Sequence, residues 1–204
     1  MKEYKVKMLD SLPADWSSVE RVLLDETPWL TDYVPVTYGQ VVFVRGDGFY
    51  CRMTCEERNP KAVFKNWMDY VCKDSCMEFF AAFDNTSPVY LNIEANSIGT
   101  VLAQMGTDRY DRIPADTYLG GPVTVEAHVG ENEWTLLMHV SLEDVKKLYK
   151  MDTAVFKEGY SFRANLYKCG DETETEHYNM WNRVETPTPD YHQLPYFGMM
   201  TLES

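Results

Sequence analysis

Polar and apolar residues alternate with a period of two over many short stretches of the chain, each bounded by turn residues. Tyr4–Met8 alternates in this way, and a period of two is the signature of a strand with one buried face. Val36–Val44 and Phe49–Glu56 are strands on either side of Gly46-Asp47-Gly48, a strong turn signal, and together predict a hairpin. Further strands are expected at 75–83, 89–96, 122–128, 133–140, 160–168 and 197–202. One segment breaks the rhythm. In Ser141–Tyr149, Leu142, Val145, Leu148 and Tyr149 fall on one face at helical spacing, and Ser141 with Asp144 three residues on reads as a capping box. Residues 62–73 and 104–121 read as loop-rich, as does the tail from His177 to Pro195, and Asp25–Pro35 reads as an ordered loop. Many short strands, one short helix and no strand–helix–strand rhythm predict an all-β fold, an antiparallel β-sandwich of jelly-roll type. Neither repeats nor a low-complexity linker divides residues 1–204, so one domain is expected.

The pair of strands around 75–96 carries an unusual pattern. Met77, Phe79, Ala81 and Phe83 share one face of the first strand, and Leu91, Ile93 and Ala95 one face of the second. Matching apolar with apolar puts Glu78 on the same side as Tyr90, Asn92, Glu94 and Asn96, because side chains alternate across a strand. Paired residues then have numbers of equal parity, which predicts a connection of three or five residues rather than two. A solvent-facing side accounts for a polar face. Yet this one is acidic and amide-rich, with aromatics beside it. Carboxylates and amides suit paired hydrogen bonding to neighbouring hydroxyls, and aromatic rings suit the C–H face of a sugar.

Composition narrows the field. Thirty-two acidic against nineteen basic residues give a formal charge of −13. Nucleic acid and anionic membrane surfaces are therefore unsuitable partners, since both need basic patches. The N-terminal MKEYKVKMLDSLPADW has no apolar run of signal-peptide length, and no stretch approaches a membrane span. As it stands the sequence predicts a cytoplasmic protein; a secreted one whose leader has been removed would read the same. The five cysteines, Cys51, Cys55, Cys72, Cys76 and Cys169, are odd in number. Cys51/Cys55 and Cys72/Cys76 have three-residue gaps, wider than the usual structural-zinc spacing, and buried reduced thiols are expected.

Taken in order along the chain, several blocks resemble the family-9 carbohydrate-binding modules, in a stand-alone form related to modules attached to xylanases. These are Trp29 in TPWL, Gly48-Phe49-Tyr50 leading to Met53-Thr54-Cys55-Glu56, Asn59-Pro60, Asp74-Ser75-Cys76-Met77-Glu78-Phe79-Phe80, Tyr90-Leu91-Asn92-Ile93-Glu94-Ala95-Asn96, Gly99-Thr100, and Trp181, His192, Pro195 and Phe197-Gly198. The resemblance implies a β-sandwich that binds sugars without chemistry, in a slot walled by two aromatic rings. It implies glucan- or xylan-derived mono- or oligosaccharide ligands and a place in polysaccharide degradation. No cofactor is required, although some members hold structural calcium, for which Asp84 and Asn85 are the donors considered. Trp181 matches the C-terminal wall, with Trp67 or Tyr70 for the other. Glu78 matches the acidic strand position, and Asn92, Glu94 and Asn96 follow as hydroxyl clamps. Arg109 is a further ligand contact, set against plain ion pairing with its acidic neighbours.

Two other readings stay open at this point. Glu78 and Glu94 are a formal glycosidase pair, which leaves a glycoside hydrolase or its accessory subunit as the alternative. A sandwich without a ligand is the third. A serine hydrolase has no support, because the chain has no Gly-x-Ser-x-Gly elbow to accompany His128, His139 or His192.

Overall fold

A computed structural model describes residues 1–29 and 31–204; Leu30, inside the expected 25–35 loop, lies outside the described residues. Thirteen strands form: β1 Glu3–Leu9, β2 Val22–Leu23, β3 Thr37–Val44, β4 Gly48–Cys55, β5 Cys76–Ala82, β6 Tyr90–Asn96, β7 Val101–Gly106, β8 Ile113–Pro114, β9 Val125–Val129, β10 Trp134–Ser141, β11 Ser161–Gly170, β12 His177–Met180 and β13 Gly198–Glu203. They pair along one path, β8-β7-β6-β5-β11-β13-β1-β3-β4-β10-β9, with β12 on β11 and β2 on β3. The path curls over on itself, so that side chains of β3, β4 and β10 meet those of β5, β6, β7 and β11 in one apolar core. Phe49 from one layer lies 4.7 Å from Phe83 and 5.1 Å from Phe162 of the other, ring centre to ring centre. This is the expected sandwich.

Its pairing is not wholly antiparallel. The first strand β1 runs parallel to both of its neighbours, β13 and β3. Alternation along a single strand reports its buried face but not its neighbour's direction. Two helices form instead of one. The expected helix is α2, Leu142–Tyr149, with the Ser141–Asp144 capping box in place and Lys150 in the left-handed conformation at its end. The other, α1 (Asp116–Leu119), and β8 occupy the stretch expected to be loop, while β12 begins the tail. All three are too short to show a period.

Helix α2 closes one end of the sandwich. Val145 and Leu148 are buried, and the Tyr149 hydroxyl donates to the Ala81 carbonyl at 2.7 Å and accepts from the Leu91 amide at 3.0 Å. Those contacts brace the β5–β6 connection. That connection spans 83–89, seven residues rather than three or five, although the parity holds: Glu78 pairs with Glu94, Phe79 with Ile93 and Ala81 with Leu91.

The inner faces of β5, β6 and β11 carry Met77, Phe79, Ile93 and Leu166 into the main core. The opposite face is not left to solvent. A second apolar cluster covers part of it, built from Phe80, Tyr90 and Tyr167 of the strands with Val71, Val184, Tyr191 and Phe197 of the overlying loops. Each such ring removed from water contributes roughly 1.5–3 kcal/mol. These strands are therefore apolar on one face and semi-apolar on the other, and the functional site lies where the second cluster stops.

Candidate functional site

Three loops rise around the uncovered part of the outer face. The first is residues 61–73, held down by Asp74 and Asn96. One Asp74 carboxylate oxygen accepts from the amides of Val63 (2.9 Å) and Phe64 (3.0 Å) and from Asn96 Nδ2 (3.0 Å). Asn96 Nδ2 also donates to the Phe64 carbonyl, while its Oδ1 accepts from the amide of Thr100. Asn96 is thus fully engaged as an anchor and offers nothing to a ligand. The loop it anchors presents Met68, Tyr70 and Cys72 to the site.

The second loop, 107–112, is a run of side-chain-capped turns. Asp111 accepts from the amides of Thr107 and Asp108, and Asp108 from that of Tyr110. Asp and Asn hold such turns through their own backbone neighbours. These bonds to the exposed Asp111 hold its carboxyl below the usual range. Arg109, Tyr110 and Arg112 project from this frame. The third loop, 189–192, is fixed by Tyr191, which stacks on Tyr167 with centroids 4.0 Å apart and bonds through its hydroxyl to the Lys168 carbonyl at 2.9 Å.

The three loops and the sheet enclose a cavity of about 560 Å³, within the usual range for small-molecule sites, roughly 300–1,000 Å³. Its rim is aromatic. Tyr70 is 67% exposed and Tyr110 92% exposed, with Tyr178 nearby. Its floor is polar, formed by Glu78, Glu94, Gln104, Arg112, His192 and Asp171.

The floor's electrostatics follow from burial. Glu78 and Glu94 are 2% and 5% exposed and face each other across β5 and β6. Like charges directly opposed on a sheet are unfavourable. Burial, and then the Glu94 charge, push the Glu78 carboxyl well above the usual carboxylate range. Burial also raises Glu94, to about 7, against the lowering influence of Arg112. The Arg112 guanidinium sits 3.5 Å from Glu94 Oε1, and Asn92 Nδ2 donates to the same oxygen at 2.9 Å. The Asn92 Oδ1 is buried and finds no partner. Burial, with Arg112 and Arg109 beside it, lowers the His192 imidazole well below its ordinary range. Neutral His192 meets the Tyr90 hydroxyl through Nδ1 at 3.0 Å. Burial raises the Asp171 carboxyl as well. The floor thus sets hydrogen-bond donors and acceptors around the Arg112–Glu94 pair.

Of the residues expected from sequence, Glu78, Glu94, Tyr70 and Arg109 line this cavity together. Asn92 lies behind it and orients Glu94. Trp181 does not reach it. Its ring is 4% exposed, packs edge-on against Tyr4 at 6.4 Å, and rests on Gly198, where an added Cβ would come within 2.5 Å of the indole. It belongs to the inner core, because β12 ends just before it and turns the chain inward. Trp67 is directed elsewhere too: its Nε1 donates to Asp116 at 3.0 Å, beside a separate shallow groove with Ile98 and Val123. Tyr110, Tyr178, Arg112, Asp171 and Gln104 also line the cavity and are not among the residues expected from sequence. Only the Asp-Arg-Tyr-Asp-Arg run, an aromatic between two arginines, carried a signal for any of them. His192 ties its loop to the sheet through Tyr90 and also faces the cavity.

The calcium donors considered do not fit such an ion. The Asp84 carboxylate caps its own turn by accepting from the Thr86 amide and hydroxyl, and the Asn85 amide donates to the Ser161 carbonyl. All five cysteines are free thiols.

A curled β-sandwich with an aromatic-rimmed, polar-floored cavity defines a protein with room for a small ligand. The family model for carbohydrate-binding family 9 matches residues 4–202, and the chain belongs to this family of non-catalytic sugar-binding modules. Among solved structures, a putative carbohydrate-binding protein from Bacteroides uniformis ATCC 8492 shares 23% identity over 99% of each chain, with a TM-score of 0.83. A family-9 module from Caldicellulosiruptor kristjanssonii, solved in complex with cellotriose, shares 10% identity over 99% of this chain and 94% of that one, with a TM-score of 0.64. A family-9 module from Caldicellulosiruptor kristjanssonii in complex with glucose shares 11% identity over 99% of this chain and 96% of that one, with a TM-score of 0.64. At these identities the likeness is one of fold. No curated protein matches the chain.

Proposed function

We propose that the outer-face cavity is the sugar site, and that it takes a mono- or oligosaccharide ring against its tyrosine rim. The observation that carries this is the joining, in one cavity, of exposed tyrosines with a buried floor of acceptors and donors. A pyranose presents apolar C–H faces and equatorial hydroxyls, and needs both kinds of surface at once. Tyr70 and Tyr110 supply the apolar surface. Glu94 accepts from a hydroxyl while Arg112 and Gln104 donate to its neighbours, and His192, held neutral, accepts or donates according to its tautomer. Glucose and cello-oligosaccharides, bound by the Caldicellulosiruptor relative, are the first ligands to test, with xylobiose beside them. The formal charge of −13 suits an uncharged ligand.

Hydrolysis is disfavoured by the same geometry. A glycosidase pair flanks the scissile bond from two sides. Glu78 and Glu94 rise side by side from one sheet face, so both approach a sugar from below.

Calorimetric titration of the protein with glucose, cellobiose, cellotriose and xylobiose tests this. Binding of at least one, weakened by about ten-fold or more in Tyr70→Ala and weakened also in Glu94→Gln, with thermal unfolding of the Tyr70 variant unchanged, is the expected result. Affinity unaltered in both variants overturns it.

A further inference from the structure

We propose that the floor of the cavity is also a site for a thiophilic divalent cation of the zinc class, held by Cys76, Cys169 and Glu78. The Sγ atoms of the two cysteines and a carboxylate oxygen of Glu78 all lie within 4.8 Å of one another, and all three residues are buried. Tetrahedral zinc has Zn–S near 2.3 Å and Zn–O near 2.0–2.2 Å, so its ligand atoms sit roughly 3.5–4 Å apart. The present spacing needs only a small inward adjustment of side chains.

Sheet register, rather than loop chance, brings the three together. Cys76 of β5 and Cys169 of β11 are directly paired residues. Glu78 is two residues along β5, on the same face, and is paired with Tyr167. Ligands carried on rigid neighbouring strands hold their geometry without ordering cost at binding. Cys169 Sγ already donates to Glu78 Oε1 at 3.1 Å, the contact a metal would replace. Two thiolates favour soft and borderline ions over calcium or magnesium. Glu78 and Cys169 line the cavity whereas Cys76 lies behind them. An ion therefore has an entry path, and its fourth position faces the cavity, as in zinc sites that keep one place for an outside ligand. The inference goes beyond sugar binding and stands without it.

The test uses the full chain, reduced and stripped of metal, titrated with Co²⁺ and then Zn²⁺. The expected result is a near-ultraviolet thiolate-to-cobalt charge-transfer band that saturates at a single equivalent and is displaced by Zn²⁺. The band is lost in Cys169→Ser and Cys76→Ser, and kept in Cys51→Ser, whose thiol lies in the inner core. If the serine variants fail to fold, alkylation of Cys169 in the unaltered protein decides: Zn²⁺ protects it and Ca²⁺ does not. Absence of the band, a band that survives Cys169→Ser in a folded variant, equal protection by Ca²⁺, or a Cys76–Cys169 disulfide in the protein as purified would each overturn the proposal. A sugar titration run separately leaves the band's presence unaffected, so failure of one reading does not touch the other.

Discussion

Lys168 and Cys169 are adjacent on β11 and point to opposite faces of the sheet, into two buried polar clusters of different character. On the inner side Lys168, with no exposure, bonds to the Cys169 carbonyl and to His177 Nε2, and lies 3.4 Å from Glu57 Oε2. Glu57 accepts in addition from Trp134 Nε1 at 3.0 Å and Ser75 Oγ at 2.8 Å. His177 Nδ1 donates to the Thr175 carbonyl at 2.8 Å, leaving Nε2 free to accept from the ammonium. Burial and then Lys168 lower His177 to about 4, so it stays neutral. Charge is matched and the cluster is sealed. On the outer side Glu78, Glu94 and Asp171 line a cavity beside Arg112 and Arg109. A sealed network serves stability; one that opens on a cavity has room for a ligand.

That contrast can be broken from either side. The largest effects should come from the inner side. Lys168→Met removes the buried cation beside Glu57 and should cost about 3–5 kcal/mol in chemical unfolding. Trp181→Ala should cost a similar amount, about 3–5 kcal/mol, through the cavity it opens. In either variant, sugar affinity of the folded fraction should be unchanged; a specific loss of affinity in Trp181→Ala would restore that ring to the site. Next comes pH. In the native state Glu78 and Glu94 hold protons to higher pH than in the unfolded chain, where carboxyls titrate near 4.3. At these two groups the native state therefore binds more protons, and their contribution to stability falls as pH rises from about 4.5 through 7 and above, while His177 and His192, held neutral, oppose it up to about pH 6.5. For Glu94, raised to about 7, the loss is on the order of 3–4 kcal/mol. Unfolding midpoints measured above about pH 6.5 should show the decline, and Glu78→Gln should flatten it. A profile that rises over this window would contradict the buried pair. The smallest stability effect belongs to Tyr70→Ala, which should leave unfolding within about 0.5 kcal/mol while weakening sugar binding by about ten-fold or more, ~1.4 kcal/mol.

The same two faces show what the sequence could convey. Parity placed Glu78, Asn92, Glu94 and Asn96 on one side of β5 and β6, since strand alternation is local and strict. What that side faces is not local. Asn96 became an anchor because Asp74 and Phe64 meet it across the sheet, and Asn92 a support because Glu94 lies two residues along. Trp181 had the right motif, but burial is set by where β12 ends and by the bare backbone at Gly198. Tyr110 gives no periodic signal because a loop carries it, and Tyr178 none because its strand, β12, is too short to show a period. The parallel pairings of β1 are equally hidden: one joins Glu3 with Met199, near opposite ends of the chain, and the other Lys7 with Val42, and nothing in a strand's own pattern announces its partner.

Methionine methyl resonances separate the two faces in one experiment. Met68 lines the outer cavity, whereas Met53 and Met77 are fully buried in the inner core. Titrating methyl-labelled protein with cellotriose, or with the best-binding sugar from calorimetry, should move the Met68 signal saturably and leave Met53 and Met77 in place. A bound sugar that leaves Met68 unmoved, or that shifts the inner-core methyls equally, would contradict the assignment of sugar binding to the outer face.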